Sequence, residues 1–363
     1  MTPIVPPPPV ADGPRASTRR WWYLSLIAGF VLLGGTAASI VQVPYYAVAP
    51  GRPVSTAPLV SVVDGPSFEP AGEIFLTTVS LRRTTVLEAV TGWLDPAVDV
   101  VKQEVILPPG TPPSQLRATN LEAMDGSKQA ALGVAYEALG FDAIRGTGAT
   151  VATVVDGTPA DGALTSGDTI VAVDESPIGL SFEVSEVLAP LAPGDAVVLE
   201  VEAEDGTRRD ESIVLGANPD APEKPFLGVL LQTRDFVLEF PYDVDIDSDK
   251  IGGPSAGLAF TLEVLDRLTD GDLTGGMTIA ATGEMGLDGR VGSIGGAAQK
   301  GVAVEDAGIR LFLVPRANLD QARREISDEL RVEPVDTLED ALRILEDAGG
   351  DPLEPAADDQ VTA

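Results

Sequence analysis

The feature that constrains this chain most is a run of 23 residues without a charged side chain, from Trp21 to Val43. At about 1.5 Å per residue, a helix of this length crosses the roughly 30 Å hydrocarbon core of a bilayer. Aromatic residues flank the run, as at two membrane interfaces: Trp21, Trp22 and Tyr23 at one end, Tyr45 and Tyr46 at the other. We therefore predict a transmembrane helix over 21–43.

The charges beside this run predict its orientation. Three arginines precede it, and no lysine or arginine follows it until Arg52. The positive-inside bias then predicts a disordered, proline-rich cytoplasmic tail over 1–20 and an extracytoplasmic remainder, in a single-pass protein of the cell membrane. The alternative is a cleaved signal peptide, since Gly35-Thr36-Ala37 is small enough for cleavage, although the run exceeds the usual signal core.

Composition excludes several kinds of chemistry. The formal net charge of −32 repels phosphate backbones, so we expect no nucleic acid partner. The chain has no histidine and no cysteine, which excludes a Ser-His-Asp triad, a thiol nucleophile and a thiolate metal site. No Gly-x4-Gly-Lys-Ser/Thr phosphate loop occurs, so we expect no ATPase module. We also expect no metal and no cofactor.

Two regions follow with different periodicity, and together they predict an α+β fold. A helix from Ser127 to Gly140 precedes a β-rich module in which Asp205-Gly206 is a hairpin turn. An α/β unit comes next. The predicted strands are 72–81, 148–155, 167–174, 195–203, 208–216, 277–285 and 310–315, and the predicted helices are 85–94 (capped by Thr84), 182–191, 256–268, 295–307, 318–330 and 337–347.

Ser255 is a candidate nucleophile. It lies in Gly-Gly-Pro-Ser-Ala-Gly, where Gly253 permits unusual torsions and Pro254 favours a helix start. Amides at a helix N-terminus, here those near Ser255 and Ala256, suit the negative charge that develops on an attacked carbonyl. The alternative interpretation is a serine that merely caps the helix.

Lys300 is the candidate base, because a chain without histidine must use a lysine or a carboxylate. Small and apolar residues share its predicted helix face, and desolvation would lower its pKa towards neutrality. Thr282 could hold the amine through its hydroxyl. The alternative interpretations are a solvated lysine and an ordinary strand threonine.

Taken together, these motifs resemble the proteolytic domain of Lon-type serine proteases over residues 226–318. That family uses a serine in Gly-Pro-Ser-Ala-Gly and a lysine in Gly-Gly-x-x-x-Lys, matched here by Ser255 and Lys300. The resemblance implies a Ser-Lys dyad. One departure is Ile251-Gly252, where ATP-dependent Lon proteins usually carry Lys-Asp before Gly-Pro-Ser.

The β-rich module resembles a bacterial PDZ domain through Gly157, Pro159 and Gly167-Asp168. Such domains capture an extended peptide as an added strand. Leu139-Gly140-Phe141 resembles the family's carboxylate-binding loop, unless Leu139 simply ends a helix.

The order of span, PDZ and Lon-like segments resembles the membrane-anchored PDZ–Lon-like proteases of Gram-positive bacteria. The domains expected are a tail (1–20), the span (21–43), a juxtamembrane segment (44–125), a PDZ domain (126–219), a Lon-type domain (220–350) and an acidic tail (351–363). Residues 73–81 are expected to pair with strands of 226–350, so that the PDZ domain interrupts a discontinuous protease fold.

The resemblance implies an ATP-independent serine endopeptidase that cleaves extracytoplasmic peptides or flexible protein segments, with the stretch 236–246 holding the substrate extended. A homo-oligomeric ring is also implied. One alternative is a non-catalytic PDZ adaptor that keeps a Lon-like fold, with Ser255 and Lys300 too far apart for a hydrogen bond. The other is a regulatory protease that cuts one protein as a signal.

Overall fold

The computed structural model describes residues 17–107, 112–248 and 251–355. The proline-rich part of the predicted tail, Lys250 and the last residues of the acidic tail lie outside the described residues. The helices are α1 (Ser17–Ile40), α2 (Val86–Leu94), α3 (Gln103–Ile106), α4 (Pro113–Ala138), α5 (Ser181–Leu188), α6 (Gly257–Leu268), α7 (Ala297–Asp306), α8 (Leu319–Ala322) and α9 (Leu338–Asp347).

The strands are short and numerous. They are β1 (Gln42–Pro50), β2 (Val54–Ser55), β3 (Val60–Val62), β4 (Glu73–Leu76), β5 (Val79–Thr85), β6 (Asp99–Lys102), β7 (Ile144–Arg145), β8 (Ala149–Val154), β9 (Thr169–Val173), β10 (Ser176–Pro177), β11 (Ala196–Glu202), β12 (Arg208–Val214), β13 (Gly216–Ala217), β14 (Pro225–Phe226), β15 (Val229–Thr233), β16 (Val237–Leu238), β17 (Val244–Ile246), β18 (Thr278–Ala281), β19 (Glu284–Met285), β20 (Val291–Gly292), β21 (Leu311–Pro315) and β22 (Arg331–Val335).

The chain divides into two compact units. Unit 1 comprises residues 1–50 and 79–112, and unit 2 comprises 51–78 and 113–363. The expected juxtamembrane segment 44–125 is therefore not one piece, because 51–78 and 113–125 fold with unit 2.

Unit 1 holds α1 and a three-stranded antiparallel sheet in the order β5-β1-β6. Within α1, Trp21–Ile40 is long and apolar enough to cross a membrane, a property that signal sequences near an N-terminus share. The helix ends at Ile40, three residues before the predicted end of the span, because the chain turns into β1 at Gln42.

Helix α2 begins at a capping box in which the Thr85 hydroxyl accepts from the Glu88 amide and the Glu88 carboxylate accepts from the Thr85 amide. The cap is thus Thr85 and not the predicted Thr84.

Unit 2 is built on a five-stranded sheet in the order β2-β4-β18-β21-β22, in which β4, β18, β21 and β22 are parallel. Alternate side chains face two separate cores. Ile279 and Leu313 pack on the side of α4 and α6, whereas Ala280 and Phe312 pack on the side of α7. The sheet is therefore buried on both faces, as parallel strands require.

The predicted strand 72–81 is wrong as a single element. Its first half, β4, pairs with β18, with Ile74 beside Ile279. Its second half, β5, pairs with β1 in the other unit. The pairing expected for 73–81 therefore holds for 73–76 and fails for 79–81.

The β-rich module contains the sheet β12-β11-β9-β8-β15 around its own core. The Asp205-Gly206 hairpin joins β11 to β12 as predicted, and Gly206 has a φ of 82°. The preceding helix is longer than predicted, since α4 begins at Pro113, a residue favoured in a first helical turn. The predicted helix 318–330 is also wrong, because α8 ends at Ala322.

The contact between α7 and α8 depends on a glycine. A Cβ added to Gly301 would lie 2.4 Å from the carbonyl oxygen of Ala322, whereas one added to Gly295 would meet nothing within 4 Å. Helix α7 can therefore approach α8 closely only because Gly301 has no side chain.

We predict that Gly301→Ala lowers the free energy of unfolding by about 1–3 kcal/mol, the usual cost of overpacking. Gly295→Ala is the matched control, and its change should stay within about 0.5 kcal/mol. Urea unfolding of the full chain in detergent micelles measures both. Equal effects of the two substitutions would contradict the close approach of the two helices.

Candidate active site

The candidate site lies at the carboxyl end of the parallel strands, where ligand sites of such sheets usually occur. Thr282 directly follows β18 and is fully buried. Ser255 lies in a 3₁₀ turn, Pro254–Ala256, that leads into α6. Lys300 lies in the first half of α7. Three separate segments thus bring their predicted site residues together.

The backbone at Gly253 is set for a sharp entry into α6. Its φ of 99° and ψ of 147° belong to a region that glycine adopts far more readily than other residues. Pro254 then takes the first helical position, where its missing N–H is no loss. As a result Ser255 is only partly buried, although the next residues of the helix are buried.

Lys300 joins the three segments. Its Nζ donates to the Ser255 Oγ at 2.8 Å and to the Thr282 Oγ1 at 2.9 Å. The Thr282 hydroxyl in turn donates to the Ser255 carbonyl oxygen at 3.0 Å. The amine therefore has two hydroxyl partners, one of them the candidate nucleophile.

The surroundings of Lys300 disfavour its charged form. The residue is 2% exposed and makes no ion pair within the described part of the chain. Burial lowers the pKa of Lys300 from 10.5 to about 7. A substantial fraction of the amine is then neutral at physiological pH and can accept a proton.

Helix α4 also holds the serine turn, through contacts that no local sequence pattern predicts. The Gly253 amide donates to the Asn120 carbonyl oxygen at 2.8 Å, and the Ser127 hydroxyl donates to the Pro254 carbonyl oxygen at 3.0 Å. The Gly283 amide donates to the Ser255 carbonyl oxygen at 2.9 Å. The predicted helix begins at Ser127, whereas in the structure Ser127 lies in the interior of α4 and binds this turn.

The predicted supporting residues differ in their availability. The Gly253 amide is already used by Asn120, so it is not poised for a second acceptor. Ala256 is buried beside Ser255 in the first helical turn. Amides in a first turn have no carbonyl oxygen four residues earlier within the helix to bind.

Two parts of the chain match known family models. Residues 248–346 match the model of the Lon protease (S16) C-terminal proteolytic domain, and residues 124–213 match that of the PDZ domain. The chain carries a Lon-type proteolytic domain and a PDZ domain. The first of these belongs to a family of serine peptidases.

The curated relatives match over about a quarter of this chain. The Lon protease of Campylobacter concisus is 38% identical over 95 residues, which is 25% of this chain and 12% of the relative. The Lon protease of Buchnera aphidicola subsp. Schizaphis graminum is 36% identical over 95 residues, with the same coverage. The chain thus spans about an eighth of the length of these curated relatives. Among solved structures, the PDZ domain of an SdrC-like protein from Listeria monocytogenes aligns over 23% of this chain and 87% of its own, at 26% identity and a TM-score of 0.22.

A second candidate site is a cleft in the PDZ domain between α5 and β15, with a volume of about 430 Å³. Strand β15 pairs with β8 and ends the sheet, so its other edge faces this cleft. The cleft has an apolar floor and two basic residues at its rim. Its lining includes Val184, Ser185, Leu188, Leu231, Lys224 and Arg290.

The predicted carboxylate-binding loop, Leu139-Gly140-Phe141, is not at this cleft. The side chains of Leu139 and Phe141 are buried, in a core shared with α6, and neither residue lines this cleft. Leu227-Gly228 leads into the edge strand instead, with Gly228 at a φ of 88°. The signal was available in the sequence, because this second Leu-Gly pair directly precedes a β-branched run, whereas Leu139-Gly140 ends a helix.

The stretch 236–246, predicted to hold the substrate extended, is not one continuous strand, and its role with substrate stays a prediction. It contains β16 and β17, which pair with β7 and β3 respectively.

The lowered pKa of Lys300 makes a prediction about stability. Between pH 7 and 10.5 the unfolded chain binds more protons at this lysine than the folded chain, so stability rises with pH in this window. We expect Lys300→Met to be more stable than wild type at pH 6 by about 3 kcal/mol. Charging the buried lysine costs the folded wild type about 1.36 kcal/mol per unit by which its pKa is lowered. The loss of two hydrogen bonds in the variant offsets part of that gain. The advantage should vanish by pH 10.

Urea unfolding in detergent micelles at several pH values measures this difference. Lys102→Met, at an exposed lysine of β6, is the matched control and should change little with pH. An equal pH dependence in both variants would show that Lys300 is solvated.

Proposed function

We propose that this chain is an ATP-independent, membrane-anchored serine endopeptidase in which Ser255 and Lys300 form the catalytic dyad. The observation that carries the proposal is the 2.8 Å hydrogen bond between the Ser255 Oγ and a buried lysine amine. It occurs within a domain matched to a serine peptidase family. A hydroxyl needs such a base, since the chain offers no histidine.

The reaction follows from the contacts. The neutral Lys300 amine takes the proton of the Ser255 hydroxyl as Oγ attacks the peptide carbonyl carbon. The resulting ammonium gives that proton to the leaving amine as the peptide C–N bond breaks. Water, deprotonated by the same lysine, then hydrolyses the acyl-enzyme and restores Ser255. Thr282 keeps the amine directed at Oγ, because its own hydrogen is donated to the Ser255 carbonyl oxygen.

The amides of Ser255 and Ala256 are assigned the role of stabilising the negative charge that develops on the carbonyl oxygen. They lie at the start of a helix, where the dipole is positive and the amides point outward. Gly253 contributes through its torsions and not through its amide, which Asn120 holds.

ATP independence is proposed from the motif content of the sequence. The family model covers the proteolytic domain, and no phosphate loop occurs in the 363 residues. The substrates proposed are therefore peptides and protein segments that are already flexible.

The PDZ domain is proposed to capture these segments in the α5–β15 cleft. An extended peptide can add to the free edge of β15, and its terminal side chain can enter the apolar floor. Lys224 and Arg290 lie at the cleft to attract a terminal carboxylate.

Anchoring and topology are proposed from α1 and its flanking arginines. The helix has the length and composition to span a bilayer, and the arginines precede it, which favours a cytoplasmic N-terminus and an extracytoplasmic active site. A homo-oligomeric ring stays a prediction from the family resemblance.

The non-catalytic adaptor is the second candidate. It requires Ser255 and Lys300 to be too far apart for a hydrogen bond, and the 2.8 Å contact weighs against it.

We predict that Ser255→Ala and Lys300→Arg each lower kcat/KM for an unstructured peptide by at least about 10³-fold. Arginine keeps a positively charged donor at position 300 but cannot lose its proton. The variant therefore distinguishes a lysine that acts as a base from one that only supplies a positive charge. In wild type, kcat/KM should rise with pH and reach half its maximum near pH 7, because burial lowers the pKa of Lys300 to about 7.

Lys102→Ala, at an exposed lysine, is the control and should keep wild-type activity. Peptide cleavage is followed by mass spectrometry, which also reports any acyl-enzyme. Full activity of either dyad variant would refute the mechanism.

We also predict that Ser185→Trp weakens peptide capture at least about tenfold, since the indole would fill the cleft. Leu230→Trp is the matched control, because Leu230 is 60% exposed and does not line the cleft. Fluorescence anisotropy of a labelled peptide with an apolar C-terminal residue measures binding. Equal affinity in both variants would place the binding site elsewhere.

A further inference from the structure

Helix α2 exposes a continuous apolar stripe that the proposed peptidase activity does not use. The exposed residues recur at helical positions i, i+1, i+4, i+7 and i+8, which lie on one face. They are Val86, Leu87, Val90, Trp93 and Leu94, of which Trp93 is 60% and Leu94 81% exposed. The opposite side, at Ala89 and Gly92, is buried within unit 1. Exposed apolar stripes of this kind mark contact surfaces.

The position of α2 in unit 1 suggests what covers this stripe. The Val86 amide donates to the Val41 carbonyl oxygen at 3.0 Å, and Val41 directly follows the last residue of α1. Helices α1 and α2 also pack against each other. If the 20 apolar residues Trp21–Ile40 fill the hydrocarbon core, α2 begins at the level where that core ends.

The aromatic residues fit this level. The Trp93 ring meets the Tyr45 ring edge to face, with centroids 5.9 Å apart. Tyr45 lies in β1, shortly after the apolar helix. Tryptophan and tyrosine favour the boundary between lipid and water, because each ring is largely apolar and carries one polar group.

From these contacts we infer that α2 lies in the outer leaflet boundary of the bilayer, with its Val86–Leu94 stripe buried among lipid headgroups and upper acyl chains. The inference rests on the proposed anchoring of α1. The occupant is a lipid surface, since the stripe continues the apolar surface of α1 and the one ionisable side chain of α2, Glu88, is engaged in the capping box. Nine helical residues rise about 14 Å, less than half of the roughly 30 Å hydrocarbon core, so α2 can lie on a membrane but cannot cross it.

The tryptophans allow a direct test in the full chain. The chain has three, and Trp21→Phe with Trp22→Phe leaves Trp93 alone. The protein is reconstituted in zwitterionic phosphatidylcholine vesicles with bromine on the upper acyl carbons. We expect these lipids to quench most of the Trp93 emission. Unquenched Trp93 emission would overturn the inference.

A reciprocal variant separates this inference from the anchoring proposal. Trp22→Phe with Trp93→Phe leaves Trp21, at the start of the apolar helix. Quenched Trp21 with unquenched Trp93 would leave α1 in the membrane and refute the role of α2. If neither is quenched, both proposals fail.

A second copy of the chain is the main competing occupant, and the absence of cysteine makes it testable. Val90→Cys is compared with Val214→Cys, at a similarly exposed valine of β12. An environment-sensitive label at position 90 should report an apolar surrounding in vesicles, and a label at position 214 an aqueous one. Efficient disulfide formation between two copies of the unlabelled Val90→Cys variant would assign the stripe to a dimer contact and overturn the inference.

Discussion

The structure of the site depends on keeping one amine out of water. An ammonium buried without a carboxylate is strongly unfavourable, and the chain responds by favouring the neutral form of Lys300. Two hydroxyl groups then suffice as hydrogen-bond partners. A nearby aspartate would have kept the amine protonated and useless as a base.

Small residues make this burial possible. Lys300 sits between Ala297 and Ala303 in α7, and Gly301 lets α8 approach within contact of the helix backbone. Helix α4 holds the serine turn in place through Asn120 and Ser127. The nucleophile stays partly exposed while its base is enclosed, because the two are carried by different helices.

The dyad could be predicted from the sequence because short motifs carry it, each within one segment. The clamp from α4 could not, since nothing local to Asn120 or Ser127 indicates a turn more than 120 residues away. Nor could local pattern divide 72–81 into β4 and β5. Both halves have strand-like composition, and their partners, β18 and β1, are decided by long-range packing.

Long-range packing also separates two similar segments near the PDZ domain. Two Leu-Gly pairs offered equivalent local chemistry, and only the strand that follows Leu227-Gly228 separates them. The pair at Leu139-Gly140 differs because α4 packs on α6, so that Leu139, directly after α4, is buried in the core that the two helices share.

The proteolytic sheet is incomplete within the region that the family model matches. Strand β18, which leads into Thr282, is flanked by β21 on one side and by β4 on the other, and β4 lies about 200 residues upstream. Thr56 adds a buried hydrogen bond to Glu263 in α6 at 2.7 Å. Without 51–78, β18 would present an open edge and Glu263 would lose a partner, both of which are costly. The segment 51–78 is therefore part of the fold that supports the site. In sequence, the PDZ domain lies between two parts of the sheet that carries the dyad.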